Sequence, residues 1–273
     1  MNPLYAFLFL AFLGLSYDSP DTAFRKDGKS IMERIKPPKG YAWVTEEKGS
    51  FGAYLQTMRL KPAGAKILDF NKKPIKNQFE HIAVLDIDVG TKNLQQCADA
   101  IIRLRAEYLW AQKRFDEIKF NFTSGEAFSW RDFKNGVRPK VSNKNKVTFV
   151  KSAPKSDGYE AFKRYLEIIF IYAGTISLNE ETNRVTDNGK IKTGDMIISP
   201  GSPGHAAIIM GRAKNKQGHT VFLLAQGYTP AQSIHIITNP FRPKINPWYE
   251  VRISQSPLIT ARYAFKTANV KSF

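Results

Sequence analysis

The sequence predicts an α+β fold in which an antiparallel sheet meander packs against a long central helix. Short apolar and β-branched runs, bounded by turn residues, occur within 41–90 and again beyond Lys192, which is typical of antiparallel strands. From Leu94 to about Phe115 the apolar residues instead recur at three- and four-residue steps, the period of a helix. Mixed strands, a long helix, a second helix and then a β meander indicate an α+β fold.

The individual elements follow from the same periods. We predict helices over 94–115 and 159–172, and strands over 41–44, 52–59, 66–70, 81–89, 120–122, 196–199, 205–211, 220–226 and 234–237. Residues 214–218 are rich in turn formers, so the two strands that flank them should form a hairpin.

Composition indicates a globular chain with a strong positive charge. Apolar residues make up 42% of the 273 residues and aromatic residues 12%, enough to form a substantial core. Lys and Arg total 41 against 24 acidic residues, a formal net charge of +17. Such a field attracts nucleic acid, anionic membrane surfaces or acidic envelope polymers. The charge alone does not choose among them.

The N-terminus predicts export. Residues 3–15 form an almost unbroken apolar run, PLYAFLFLAFLGL. It is shorter than the roughly 20 apolar residues of a spanning helix and has the length of a signal-peptide core; the alternative is a buried N-terminal helix or strand. We expect a signal peptide over 1–16, a polar linker over 17–36 and a single α+β domain over 37–273.

Export narrows the choice of partners. The mature chain is expected in the periplasm or outside the cell, without a transmembrane span and, since no Cys follows the apolar run, without a lipoprotein anchor. Peptidoglycan or another anionic envelope polymer then fits the charge better than nucleic acid, for which no recognition module is visible. Residues 131–155 carry eight basic residues and one acidic residue. We expect a solvated basic loop there that could contact such a polymer.

A candidate thiol site consists of Cys97, His205 and Gln226. Cys97, the only cysteine, lies in the first turn of the predicted helix, where backbone N–H groups and the helix dipole lower a thiol pKa. His205 opens one hairpin strand and Gln226 ends the other, which makes them neighbours. A thiol nucleophile needs such an imidazole, oriented by a third polar group. The alternative is structural, since Cys97 also continues the apolar stripe of the helix.

This pattern resembles the NlpC and CHAP branches of papain-like cysteine peptidases. The shared features are a Cys at a helix start, Gly194-Asp195 before a strand, Gly204-His205 opening the next strand and Gln226 ending its partner. The resemblance implies a papain-like core, with Cys97 as nucleophile, His205 as base and Gln226 as orienting residue. It also implies peptidoglycan peptides as substrates.

A second resemblance covers roughly residues 35–250. It rests on the runs Ser50-Phe51-Gly52, Leu60-Lys61-Pro62, Asn77-Gln78, Val84–Gly90, Leu94–Ala100, Arg103–Leu109, Tyr172–Thr175, Gly204-His205-Ala206, Leu223–Gln226, Pro230-Ala231-Gln232 and Pro247-Trp248-Tyr249. In these runs the chain is similar to the bacterial family catalogued as domain of unknown function 4846. That resemblance implies an exported protein with one domain and supplies no reaction.

No cofactor or metal is predicted. The GxxxxGK[ST] and GxGxxG phosphate signatures are absent, and the four histidines lack a recognisable ligand spacing. Three of them, His81, His219 and His235, are interpreted as incidental.

Two functions therefore remain open. One is a papain-like thiol hydrolase, a peptidase or amidase, of cell-wall or other envelope peptides. The other is a non-catalytic envelope binding domain of the same fold. The set of Cys97, His205 and Gln226 favours the first. The second is favoured by Ala98-Asp99, which follow Cys97 where the peptidase families usually carry Ser-Gly.

Overall fold

Antiparallel strands and helices alternate irregularly along the computed structural model, which describes residues 24–144 and 146–273. The predicted signal peptide lies outside the described residues. The helices are α1 (Ile31–Arg34), α2 (Phe51–Gln56), α3 (Cys97–Ala111), α4 (Trp130–Lys134), α5 (Tyr159–Tyr172) and α6 (Thr175–Glu181). The strands are β1 (Tyr41–Trp43), β2 (His81–Val84), β3 (Lys119–Asn121), β4 (Ala127–Ser129), β5 (Val137–Val141), β6 (Val147–Lys151), β7 (Asn183–Arg184), β8 (Met196–Ser199), β9 (His205–Asn215), β10 (Thr220–Gln226), β11 (His235–Ile237), β12 (Trp248–Tyr249), β13 (Leu258–Ile259), β14 (Ala264–Phe265) and β15 (Val270–Ser272).

One large antiparallel sheet organises the fold. Its strands run in the order β2-β11-β10-β9-β8-β15-β7, while β1 also pairs with β9 and β12 with β10. Strand β9 is the longest of these, with 11 residues, and pairs with β8, β10 and β1. The predicted mixture of helices with antiparallel strands is confirmed.

The two faces of the sheet bury different apolar clusters, because successive side chains of a strand point to opposite sides. Ala206, Ile208 and Met210 of β9 join the core that also buries the apolar side of α3. Ala207 and Ile209 join a second core under the C-terminal segment. The start of β9 is therefore covered by α3 on one side and by the C-terminal segment on the other.

The sequence prediction is wrong in two N-terminal segments. Residues 52–59 were expected to be a strand, but α2 forms there because the Ser50 hydroxyl accepts the backbone N–H of Ala53 at 3.1 Å and starts a helix. The predicted linker extends into the folded core, since Ile31 and Ile35 are fully buried around the short helix α1.

Residues 66–70 do not form the predicted strand either. Only isolated bridges occur there, from Leu68 to Pro74 and from Asp69 to Gln232. Proline has no N–H for a ladder. The segment instead lies beside the residues before β11, where the backbone N–H of Ser233 donates to the carbonyl oxygen of Leu68 at 2.8 Å and Ile67 is buried.

The basic segment 131–155 is structured rather than a loop. It contains the end of α4 and a hairpin of β5 and β6, with Val141 opposite Val147. The sequence alternates apolar and basic residues here, and the charge obscured the strand period. The ring of Phe149 stacks on Phe128 at 5.3 Å, which attaches the hairpin to the rest of the fold.

Candidate active site

Cys97 is the first residue of helix α3. The residue before it, Gln96, is the N-cap of the helix and has an extended backbone (φ −92°, ψ −151°). The backbone N–H of Gln96 donates to Asp99 Oδ2 at 3.0 Å, so the Asp99 carboxylate closes the first turn. The helix was predicted over 94–115. It starts three residues later, at Cys97, and ends four residues earlier, at Ala111.

The start of α3 packs against the end of strand β10 through a glycine. A Cβ atom on Gly227 would lie 2.6 Å from the carbonyl oxygen of Gln96 and 3.0 Å from the Ala100 side chain. Glycine lets the helix approach the strand at this point. As a result, Cys97 lies where the ladder between β9 and β10 ends.

Replacing Gly227 by Ala should therefore disturb the site. The new methyl group would meet backbone that cannot rotate away, so we expect a loss of about 1–3 kcal/mol in the free energy of unfolding. Chemical denaturation measures it. Gly174→Ala is the matched control, since a Cβ there meets no atom closer than 4.0 Å. Equal stability of the two variants would contradict the close packing described here.

The thiol of Cys97 is half-buried, and some of the groups around it raise its pKa while others lower it. Burial raises the pKa of the thiol, while the backbone N–H groups of Ala206, Ala98 and Cys97 itself lower it and the nearby Asp99 raises it. The net effect is a raised pKa. The lowering expected from the helix start is therefore outweighed by desolvation in the free protein.

His205 and Gln226 lie together as predicted. His205 Nε2 is 2.8 Å from Gln226 Oε1, and both side chains are buried, with 3% and 0% exposure. The imidazole is enclosed by the rings of Tyr263 and Tyr228, with centroids at 4.6 and 5.1 Å. A fixed imidazole with one nitrogen committed to an amide is the arrangement that a general base needs.

A second histidine fixes which way the Gln226 amide points. His235 Nδ1 lies 2.8 Å from the carbonyl oxygen of Ser233, so Nδ1 carries the proton and Nε2 is an acceptor. Gln226 Nε2, at 3.4 Å, donates to that acceptor. Gln226 Oε1 therefore accepts the Nε2 proton of His205. This leaves Nδ1 of His205 with a free lone pair, as a base requires.

Both imidazoles are neutral at physiological pH. Burial, with a smaller contribution from the charge of Arg262, lowers the pKa of His205 to about 4 and that of His235 to about 3. Neutral rings are consistent with the hydrogen-bond directions above, because a protonated His235 could not accept from Gln226.

The structure brings two of the three predicted residues together and places the third on the other face of the sheet. His205 and Gln226 form their hydrogen bond on the face that the C-terminal segment covers, where the His205 ring packs on Tyr263 and Phe265. Helix α3, which carries Cys97, packs on the opposite face. In the described part of the chain no hydrogen bond joins the thiol to the imidazole.

Sequence reasoning missed two residues of the site. His235 was interpreted as incidental, although its position in a buried strand beside Gln226 marked it as a polar group that needs a partner. Asp99 was not singled out. It stands three residues after the N-cap, the usual position of a capping acid, and burial raises its pKa to about 8.

Residues 24–144 and 146–273 show neither a membrane-spanning helix nor a metal-binding cluster. No helix there is long and apolar enough to cross a membrane. No group of three or more His, Cys, Asp or Glu side chains there is arranged to hold a metal ion.

The chain belongs to the family described as Domain of unknown function (4846), whose model matches residues 31–272. The match begins at helix α1, inside the segment that was predicted to be a linker. No curated protein and no solved structure matches the chain significantly.

Proposed function

We propose that the protein is a papain-like thiol hydrolase, a peptidase or amidase, of peptides in the bacterial envelope. The observation that carries the proposal is the buried His205–Gln226 pair at the end of the β9–β10 ladder, against which the helix start with Cys97 packs from the opposite face of the sheet. A thiol hydrolase with a papain-like core has its nucleophile at a helix start, and its base and orienting amide at strand ends.

The chemistry begins with a neutral thiol and a neutral imidazole. His205 Nδ1 takes the thiol proton as the Cys97 sulfur attacks the carbonyl carbon of the scissile amide. The C–N bond then breaks, the proton passes from His205 to the leaving amine, and a thioester remains on Cys97. Water attacks the thioester with His205 as base, and release of the carboxylic acid restores the thiol.

The site explains how such a thiolate would be stabilised once formed. The backbone N–H groups of Ala206, Ala98 and Cys97 lower the pKa of the thiol, and fixed backbone dipoles cost no reorganisation during the reaction. Gln226 holds the imidazolium through its carbonyl oxygen, and His235 holds Gln226 in turn.

Two observations favour the second candidate, a non-catalytic binding domain. The raised pKa of the Cys97 thiol and its lack of a hydrogen bond to His205 are properties of a structural cysteine. The two candidate functions are distinguished by whether the bound polymer is cleaved. A binding domain keeps its ligand intact, whereas a hydrolase releases peptides from it.

We place this activity outside the cytoplasm, on the basis of the apolar run over 3–15. The net charge of +17 then favours an anionic envelope polymer such as peptidoglycan as the surface on which the protein acts. The hairpin of β5 and β6 is a suitable contact, since Lys140, Lys144 and Lys146 are exposed at its end.

Neutralising this hairpin should weaken polymer binding without affecting the fold. With Lys140, Lys144 and Lys146 changed to Gln, binding to isolated cell walls, measured by co-sedimentation, should fall and lose much of its salt dependence. In the unchanged protein, binding should weaken steeply above about 0.15 M salt, where the Debye length is roughly 8 Å. Gln at the exposed Lys190, Lys214 and Lys216 is the control for total charge. An equal loss in both triple variants would show that the hairpin has no special role.

The proposed activity is tested on isolated bacterial cell walls. The purified protein should release soluble peptides and new amino groups, which mass spectrometry and amine labelling detect. Binding of the protein to the walls with no release over long incubation would support the binding domain instead.

A further inference from the structure

A cleft of about 780 Å³ opens beside the candidate active site. One wall is formed by residues 74–80 and the other by residues 229–232 and Arg262. Two contacts connect the cleft to the candidate active site. The Thr229 hydroxyl donates to the side chain of Gln96, the residue before Cys97, at 3.0 Å. On the other side, the Arg262 guanidinium lies over the Tyr228 ring that encloses His205.

Within the part of the chain that the structure describes, two buried donors of the cleft lack a hydrogen-bond partner, as does one acceptor, Glu80 Oε2, which is held only by its ion pair with Arg262. Gln232 is 1% exposed, and among the described residues its Nε2 has no hydrogen-bond partner. The same holds for Nη1 of Arg262. Leaving such donors unpaired is costly. Both atoms are shielded from solvent, so a ligand with acceptor oxygens satisfies them once the two side chains turn toward the cleft.

The acidic residues of the cleft are already engaged. Glu80 forms an ion pair with Arg262, with Oε2 3.0 Å from Nε. Asp69 accepts the backbone N–H groups of Asn71 and Lys73 at 2.9 Å each. The exposed Lys76 adds a further cation to the wall. The capacity that remains is therefore for an anion, and it is flanked by apolar surface from Ile75, Phe79 and Pro230.

We propose that this cleft binds a carboxylate of the peptide substrate, with Arg262 and Gln232 as its hydrogen-bond donors. A guanidinium edge and a primary amide suit the two oxygens of a carboxylate. The inference deepens the proposed function, because it rests on a peptide being the substrate. It adds that the enzyme selects peptides that carry a negative charge near the bond that is cut.

Binding is measured apart from catalysis, in the Cys97→Ala variant and in the unchanged protein. The probes are acetyl-alanyl-alanine and its C-terminal amide, which differ only in the carboxylate. Titration followed by NMR of the Gln232 side-chain amide and the Arg262 Nε–H gives both affinities. We expect the carboxylate to bind at least about 10-fold more tightly, since a charged hydrogen-bond pair contributes about 1.5–3 kcal/mol.

The variants assign the preference to Arg262. Arg262→Gln should reduce the ratio of the two affinities to about one, whereas Arg262→Lys, which keeps the charge, should retain part of it. Arg252→Gln is the matched control, at an exposed arginine of the same C-terminal segment outside the cleft, and should leave the ratio unchanged.

Three results would overturn the inference. They are equal affinity for the two probes, no binding of either at millimolar concentration, and a preference that persists in Arg262→Gln. None of them bears on hydrolysis, because peptide release from cell walls by the unchanged protein is measured separately. Conversely, a carboxylate preference in a protein that releases no peptide would leave the cleft assigned and refute the hydrolase.

Discussion

Replacing Cys97 by Ala is expected to abolish peptide release from isolated cell walls, with a loss of about 10³-fold or more. The loss is this large because the sulfur forms the bond to the acyl group, and no other group in the site can do so. His205→Ala should cause a loss of similar size, since the imidazole moves every proton in the reaction.

The controls separate chemistry from stability. Alanine is well tolerated at the first position of a helix, so the Cys97→Ala protein should unfold within a few degrees of the unchanged one. His219→Ala removes an exposed histidine from the turn after β9 and should keep full activity. Activity that survives in Cys97→Ala would remove the hydrolase and leave the binding domain.

Replacing Asp99 by Asn is expected to change how stability depends on pH. Burial raises the pKa of Asp99 to about 8, against an ordinary value of 3.8. A group with a raised folded-state pKa contributes stability that is complete below its unfolded value and is lost as the pH rises through the folded value. The unchanged protein should therefore lose this contribution between about pH 4 and pH 8, while the variant should not.

The two proteins are compared by denaturant unfolding across this range. As the pH rises through this range, the free energy of unfolding of Asp99→Asn should increase by a few kcal/mol relative to that of the unchanged protein. Each pKa unit corresponds to about 1.4 kcal/mol. Other buried groups, such as His205, His235 and Glu181, titrate in both proteins and largely cancel. Asp132→Asn is the control, because Asp132 is an exposed carboxylate at the same position of helix α4. A pH-independent difference for Asp99→Asn would contradict the raised pKa.

The Asp99→Asn substitution should also lower the pKa of the Cys97 thiol. The charge of Asp99 raises the pKa of Cys97, so its removal should lower the pH at which iodoacetamide reacts at half its maximal rate. In the unchanged protein that midpoint should lie above the value of about 8.5 for a free thiol.

The sequence predicted the pairing of His205 with Gln226 better than several of the elements around it. His205 and Gln226 could be paired from the hairpin because the two strands flank a clear turn and their alternation is regular. The ladder shifts register between Leu223 and Leu224, so His205 and Gln226 are not directly opposite each other. A long amide side chain still reaches across such a shift.

Other features depended on contacts that no local pattern contains. The role of His235 follows from β11 pairing with β10, a neighbour that the sequence does not identify. The Cys97 pKa depends on how closely the sheet covers the thiol. The helix at 51–56 was missed because a single Ser50 side chain decides it against a strand-like composition.

The claim that Cys97 is a nucleophile is tested most directly by trapping the acyl-enzyme. The protein is mixed with cell-wall peptides, quenched in acid and digested, and the fragment containing Cys97 is examined by mass spectrometry. We predict an added acyl mass on Cys97 that hydroxylamine removes, as it removes a thioester, and that is absent in His205→Ala. Peptide release with an unmodified Cys97 throughout turnover would contradict the account.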